Sequence, residues 1–247
     1  MKIICTKDYE DLSRKAAELI AEQILLKPDS VLGLATGGTP LGIYRCLTQL
    51  YRNDQIDFSS VTTLNLDEYV GMAPDNPGSY AYFMEQNLFS HVNISPERCH
   101  IPSGLAKSAD AECRRYDQLI SVLGGIDLQL LGLGNNGHIG FNEPSDTFTA
   151  ATHCVALSES TRSANARFFS SLEEVPTQAI TMGMNGIMNA KQILLCVSET
   201  SKSEILREVL FGPVTPSVPG SVLQYHPNLT VIADADACSC LPSEYRY

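Results

Sequence analysis

Between Leu131 and Pro144 the chain reads Leu-Gly-Leu-Gly-Asn-Asn-Gly-His-Ile-Gly-Phe-Asn-Glu-Pro, so one polar loop carries an amide, a histidine and a carboxylate. His138 is the side chain suited to moving protons near neutral pH. Glu143 can fix its tautomer and raise its basicity, and Asn136 can donate or accept beside it. The glycines let backbone N–H groups approach a ligand closely. A glycine-rich turn with an incidental histidine looks the same, because glycine patterns are weak signals by themselves. Other segments of the chain have to decide.

Two more segments could meet this loop. Thr36-Gly37-Gly38-Thr39-Pro40 lies between a strand-like run and a helical stretch expected from Leu41. Strand, glycine turn and helix present N–H groups and a positive helix end to an anion. Thr36 and Thr39 add hydroxyls, and Pro40 suits a first helical turn. An ordinary tight turn capped by Thr39 is the alternative. There is no GxGxxG and no Walker lysine, which argues against a dinucleotide or ATP. Asn65-Leu66-Asp67-Glu68-Tyr69 ends a second strand-like run. Adjacent carboxylates point in different directions, and Asp67, directly after the strand, is the one expected to face a ligand. It could act as a base toward a carbon acid, or merely cap a helix. Arg162 and Arg167 are five residues apart in a helical segment and cannot share one face. Lys202 opens a helix between Ser201 and Ser203. A solvated surface role is the default for each of these cations.

These residues need a frame. Val31 to Ala35, Val61 to Leu66, Ile126 to Leu131, Ile193 to Val197 and Leu229 to Ile232 are short β-rich apolar runs. Amphipathic stretches separate them at Tyr9 to Leu26, Leu41 to Arg52, Ala109 to Leu123 and Lys202 to Leu210. That alternation predicts a mainly parallel α/β sheet with helices on both faces. In such sheets, ligands bind where strands end and loops begin. A chain of 247 residues suggests one domain, 1–247, with at most a small lid.

Composition narrows the partners. The formal net charge of −11 argues against a nucleic-acid surface. It also means that any anionic ligand must be captured by local donors. No apolar run is long enough to span a bilayer, and the N-terminus does not read as a signal peptide. The eight cysteines form no CxxC pair and read as reduced core residues of a cytoplasmic protein.

Taken together, the runs at 36–40, 65–69 and 134–144 resemble the glucosamine-6-phosphate deaminase family, as does Thr161-Arg162-Ser163-Ala164-Asn165-Ala166-Arg167-Phe168-Phe169. The four occur in order across nearly the whole chain. The resemblance implies a Rossmann-like α/β fold and conversion of glucosamine 6-phosphate to fructose 6-phosphate and ammonia. It makes Asp67 the base that moves a proton between C2 and C1 through an enolamine. His138 becomes the acid/base that opens the sugar ring, with Asn136 and Glu143 positioning it. Arg167, Lys202 and the turn Thr36, Gly37, Gly38 and Thr39 become the phosphate clamp. A small helical lid is expected at about 158–175, bounded by Ser170-Ser171 and Pro176. No metal or organic cofactor is implied.

Departures from the family pattern matter as well. Members usually have glycine where Glu199 stands, and glutamate there disfavours a positive φ. Activated members carry basic residues where His153 and Val155 lie, and a longer C-terminal segment. The expectation is therefore no allosteric activator and a monomer in preference to a homo-oligomer. The partner expected is a small amino sugar phosphate, with neither nucleic acid nor membrane. Two alternatives stay open: a 6-phosphogluconolactonase-like hydrolase, and a non-catalytic sugar-phosphate sensor.

Overall fold

The computed structural model describes residues 1–166, 169 and 171–246. The strands are β1 (Lys2–Thr6), β2 (Val31–Leu34), β3 (Thr62–Asn65), β4 (Asp67–Tyr69), β5 (Cys99–His100), β6 (Leu128–Leu131), β7 (His153–Ala156), β8 (Gln178–Thr181), β9 (Gln192–Val197) and β10 (Leu229–Asp234). The α-helices are α1 (Tyr9–Leu26), α2 (Gly38–Arg52), α3 (Tyr80–Asn87), α4 (Ala109–Val122), α5 (Glu159–Asn165), α6 (Met184–Met188) and α7 (Ser203–Phe211).

Local chemistry accounts for the main helices. Asp8 caps α1 by accepting from the Asp11 N–H, and Glu10 and Asp11 favour its positive end. Leu12, Ala16, Ile20 and Ile24 recur at one-turn spacing and are buried. Truncating any of the three larger ones to alanine costs about 2–5 kcal/mol. Helix α2 starts at Gly38, three residues ahead of the expected Leu41, because Pro40 with its fixed φ fits inside the first turn. Helix α7 starts at Ser203, with Lys202 as its N-cap residue.

Seven strands form one parallel sheet in the order β1-β10-β9-β6-β2-β3-β5. The five expected strands are all in it. β1 and β5 are additions: they lie at the two edges of the sheet, Ile3 and Ile4 of β1 are only half-buried, and β5 is two half-buried residues, so neither reads as a buried central strand. The chain moves outward from β2 through β3 to β5, then resumes on the other side at β6. Connections therefore diverge at the C-terminal ends of β2 and β6, and right-handed crossovers set α2 and α7 on opposite faces.

A second sheet, β4-β8-β7, is antiparallel and was not foreseen. Leu66 is the joint between the two. Its N–H donates to Leu34 in the large sheet at 3.2 Å, and its carbonyl accepts from Met182 beyond β8 at 2.7 Å. Asp67 is the next residue, so the corner between the sheets sets its position. All eight cysteines are unpaired; Cys196 and Cys238 are in the core, whereas Cys154 is only half-buried in β7.

Candidate active site

A cavity of about 530 Å³ opens over the C-terminal ends of β2, β3, β6 and β9. Its wall brings together the Thr36–Thr39 turn, Asp67, Asn136, His138 and Lys202, all named from sequence. Glu143 stands behind Asn136 and holds it from outside the wall. Arg167 lies outside the described residues. Arg162 is turned away, donating to the carbonyls of Leu172 and Val175 at 3.0 and 3.1 Å.

Asp67 is 6% exposed, and its side chain has no hydrogen-bond partner among the described residues. Burial pushes its carboxyl up to about 8, and the neighbouring Glu68 charge adds to the rise. Glu68 points the other way. It accepts from the N–H groups of Tyr69, Tyr80 and Ala81 at 2.8, 3.0 and 2.9 Å, and so caps α3. Two neighbouring carboxyl groups thus sit differently: Glu68 is a structural cap, and Asp67 is buried with its side chain unpaired among the described residues.

The histidine loop is built on close approach. The His138 ring packs over Gly134, where a Cβ would fall 2.2 Å from it. Gly140, at φ +56°, fits between Thr181 and Asp67: a Cβ would lie 3.0 Å from Thr181 Oγ1 and 3.4 Å from Asp67 Oδ2. The Phe141 N–H donates to Thr181 Oγ1 at 3.0 Å, and Thr181 pairs with Asp67 across the small sheet. The histidine loop and Asp67 therefore share one support.

His138 Nδ1 lies 2.6 Å from Asn136 Oδ1, and Asn136 Nδ2 donates to Glu143 Oε2 at 2.8 Å. Glu143 can accept only, which fixes the amide with its oxygen toward the histidine. Nδ1 then carries the proton and Nε2 the lone pair. Burial lowers the His138 pKa below the ordinary histidine range; the Glu143 charge opposes this, and the Lys202 charge adds to it. Lys202 donates from Nζ to the Leu133 carbonyl at 2.5 Å, which fixes its ammonium beside the histidine loop.

At the other end of the cavity, α2 begins after Gly37 with no side-chain cap. Its first N–H groups are thus available to an anion. Sequence reasoning missed the buttress of this turn. The Tyr9 hydroxyl accepts from the Gly42 N–H at 2.8 Å and lies 3.1 Å from the carbonyls of Gly38 and Thr39. It also missed Tyr80, which hydrogen-bonds Thr36 and, at 3.1 Å, the Tyr69 hydroxyl, itself bonded to Asn165 of α5. Nothing local in the sequence marks Tyr80, since its partners are remote. Thr161, also on the wall, was legible as the third residue after the helix cap Ser158. Among the described residues no group of three His, Cys, Asp or Glu side chains is placed to hold a metal ion.

The sequence profile of the glucosamine-6-phosphate isomerases and 6-phosphogluconolactonases matches residues 7–232, and the chain belongs to this family. One relative, the glucosamine-6-phosphate deaminase of Lachnoclostridium phytofermentans, is 60% identical over 232 residues, 94% of this chain and 98% of its own. The glucosamine-6-phosphate deaminase of Geobacillus sp. (strain WCH70) is 55% identical over 246 residues, 100% of this chain and 98% of its own. A solved structure of a monomeric glucosamine-6-phosphate deaminase is 48% identical, with a TM-score of 0.95, covering 97% of this chain and 100% of its own. The 6-phosphogluconolactonase of Trypanosoma cruzi is 18% identical at a TM-score of 0.75, covering 97% and 96%; the likeness is one of fold.

Proposed function

We propose that this chain is a glucosamine-6-phosphate deaminase, taking glucosamine 6-phosphate and water to fructose 6-phosphate and ammonia. The observation that carries the reading is Asp67, a buried carboxylate without a hydrogen-bond partner among the described residues, facing the same cavity as His138. Lactone hydrolysis requires no base of that kind, whereas moving a proton off a sugar carbon does. The full-length deaminase relatives support the same choice.

The phosphate sits on the Thr36–Thr39 turn at the start of α2, with Lys202 and Arg167 as its cations. His138, neutral and with Nε2 open, takes the proton of the C1 hydroxyl and returns it to the ring oxygen, opening the ring. Asp67 as carboxylate removes the C2 proton while the substrate ammonium passes a proton to O1, giving an enolamine, and Asp67 then delivers its proton to C1. The resulting C2 imine takes up water and releases ammonia. The segment 158–175 is a lid on a single working domain; Thr161 and Asn165 on the cavity wall support this. The relative described as monomeric supports a monomer, and eight unpaired cysteines suit a cytoplasmic setting.

The test is an assay for fructose 6-phosphate and ammonium released in equal amounts from glucosamine 6-phosphate, with phosphate-free glucosamine and 6-phosphogluconolactone as controls. Turnover of the lactone alone, or of none of the three, overturns the proposal.

A further inference from the structure

Thr161 lies in the first turn of α5 and is only 5% exposed. Its hydroxyl donates to Glu143 Oε1. The hydroxyl of Ser158, the helix cap, donates to Thr161 Oγ1 at 3.0 Å. The other carboxylate oxygen accepts from Asn136, whose Oδ1 accepts from His138 Nδ1–H. A continuous hydrogen-bond chain thus runs from the start of α5 to the histidine ring. Each Glu143 oxygen is committed in a different direction, Oε1 to α5 and Oε2 to the amide.

We infer that Thr161 is a positioning residue for His138: its hydroxyl locks Glu143 against Asn136 and ties the setting of the histidine to the placing of α5. The inference rests on the deaminase reading only for what the histidine does. The hydrogen-bond chain exists without substrate.

The charges around the ring make this contact matter. Glu143 on the same loop and Lys202 ahead of α7 face His138. Asp67 and Glu199 stand elsewhere on the cavity wall. On α5 the charged residues turn away: Glu159 is exposed, and Arg162 is bonded to Leu172 and Val175. Among the described residues, α5 therefore acts on Glu143 through a hydroxyl and not through a charge. Glu143 Oε1 already lies 3.8 Å from His138 Nδ1. Loss of the threonine donor frees that oxygen to swing to the ring and favour the imidazolium.

The experiment follows the His138 ring by ¹⁵N NMR through a pH titration of the full chain without substrate, assigning the signal by its loss in His138→Gln. Thr161→Val, a near-isosteric change, is expected to raise the midpoint by roughly 0.5–1 pH unit. Thr161→Ser, which keeps the donor, is expected to restore it. In a Glu143→Gln background the valine substitution should make no further difference. An unchanged midpoint in folded Thr161→Val overturns the inference. Should that variant not fold, Ser158→Ala is read in its place: a smaller upward shift supports the inference and an unmoved midpoint overturns it. Because no turnover is measured, absence of deaminase activity would refute the proposed function without touching this result.

Discussion

Asn136 stands between His138 and Glu143 as an oriented amide, its oxygen 2.6 Å from His138 Nδ1 and its nitrogen 2.8 Å from Glu143 Oε2. The backbone N–H of His138 also donates to the same amide oxygen, at 3.2 Å. Reversing the amide would set oxygen against carboxylate and N–H against N–H, so the carboxylate selects the histidine tautomer through its neighbour. The charge acts at one remove, and burial outweighs it in setting the proton affinity of the ring.

Replacing that amide with a carboxylate tests the balance. Asn136→Asp would place two carboxyl groups within hydrogen-bonding distance of each other, sharing one proton below their upper titration and presenting a charge directly to the imidazole. His138 is expected to titrate about one pH unit or more above the parent in an NMR titration. Activity measured below neutral pH should fall, because the ring is then cationic before substrate arrives. An unmoved histidine would mean that Glu143 already supplies the whole interaction.

Asp67→Asn separates catalysis from stability. Loss of a general base typically costs on the order of 10²–10⁴ in rate. The folded protein holds the Asp67 proton up to about pH 8, whereas the unfolded chain releases it at an ordinary value near 3.8. The folded state therefore binds more protons between these limits, and the Asp67 contribution to stability declines as pH rises from about 4 toward 8. The asparagine variant cannot ionise, so its Tm relative to the parent should increase over that window. The parent kcat/KM should rise with pH through about 8, as the carboxylate form becomes available. A Tm difference that is flat with pH would remove burial as the source of the raised carboxyl, and near-parent kcat would remove Asp67 from the base role.

The parts of this design that the sequence made legible are the contiguous ones. The span Tyr9 to Leu26 was readable as a helix because the Asp8 cap and the Leu12, Ala16, Ile20 and Ile24 spacing are local signals. The loop from Asn136 to Glu143 was readable because its three partners fall within eight residues. The small sheet was not, because Asp67, Glu68 and Tyr69 pair with Thr181, Ile180 and Ala179, far along the chain, in strands too short to show alternation. The same holds for Tyr9 under the Thr36–Thr39 turn and for Tyr80 on Thr36: the contact lies in the tertiary fold, and neither tyrosine has a neighbour in sequence that announces it.

Glu199 is the clearest local conflict. It sits at φ +84°, ψ 140° ahead of Lys202, a region that glycine occupies freely and that costs other residues about 1–3 kcal/mol. Its side chain is exposed, with Ser201 donating to Oε2 at 3.4 Å, and it adds a negative charge on the cavity wall. Glu199→Gly should relieve the strain, less the roughly 0.5–1 kcal/mol entropy cost of glycine. The expected outcome is a rise in Tm of about 2–4 °C and a lower KM for the phosphorylated sugar, more marked at low salt. A lower Tm would show that the glutamate makes a compensating contact; an unchanged KM across salt would show that its charge does not reach the phosphate.

N-Acetylglucosamine 6-phosphate should not activate this enzyme. Activation in regulated relatives of the deaminase family calls for basic residues to hold an anion, at positions matched here by His153 and Val155. The His153 ring is engaged locally, its Nδ1 3.0 Å from the Ala151 carbonyl. Val155 packs against the aromatic cluster of Tyr69 and Phe141 and brings no charge. With a net charge of −11, an anion at this face would meet an unfavourable field and no local cation from these two positions. Initial rates against glucosamine 6-phosphate should therefore follow a hyperbola, and the acetylated sugar phosphate should act only as a competitor. Sedimentation at assay concentration should give a single species near 26.9 kDa. A sigmoidal curve that the acetylated compound converts to a hyperbola would refute the prediction.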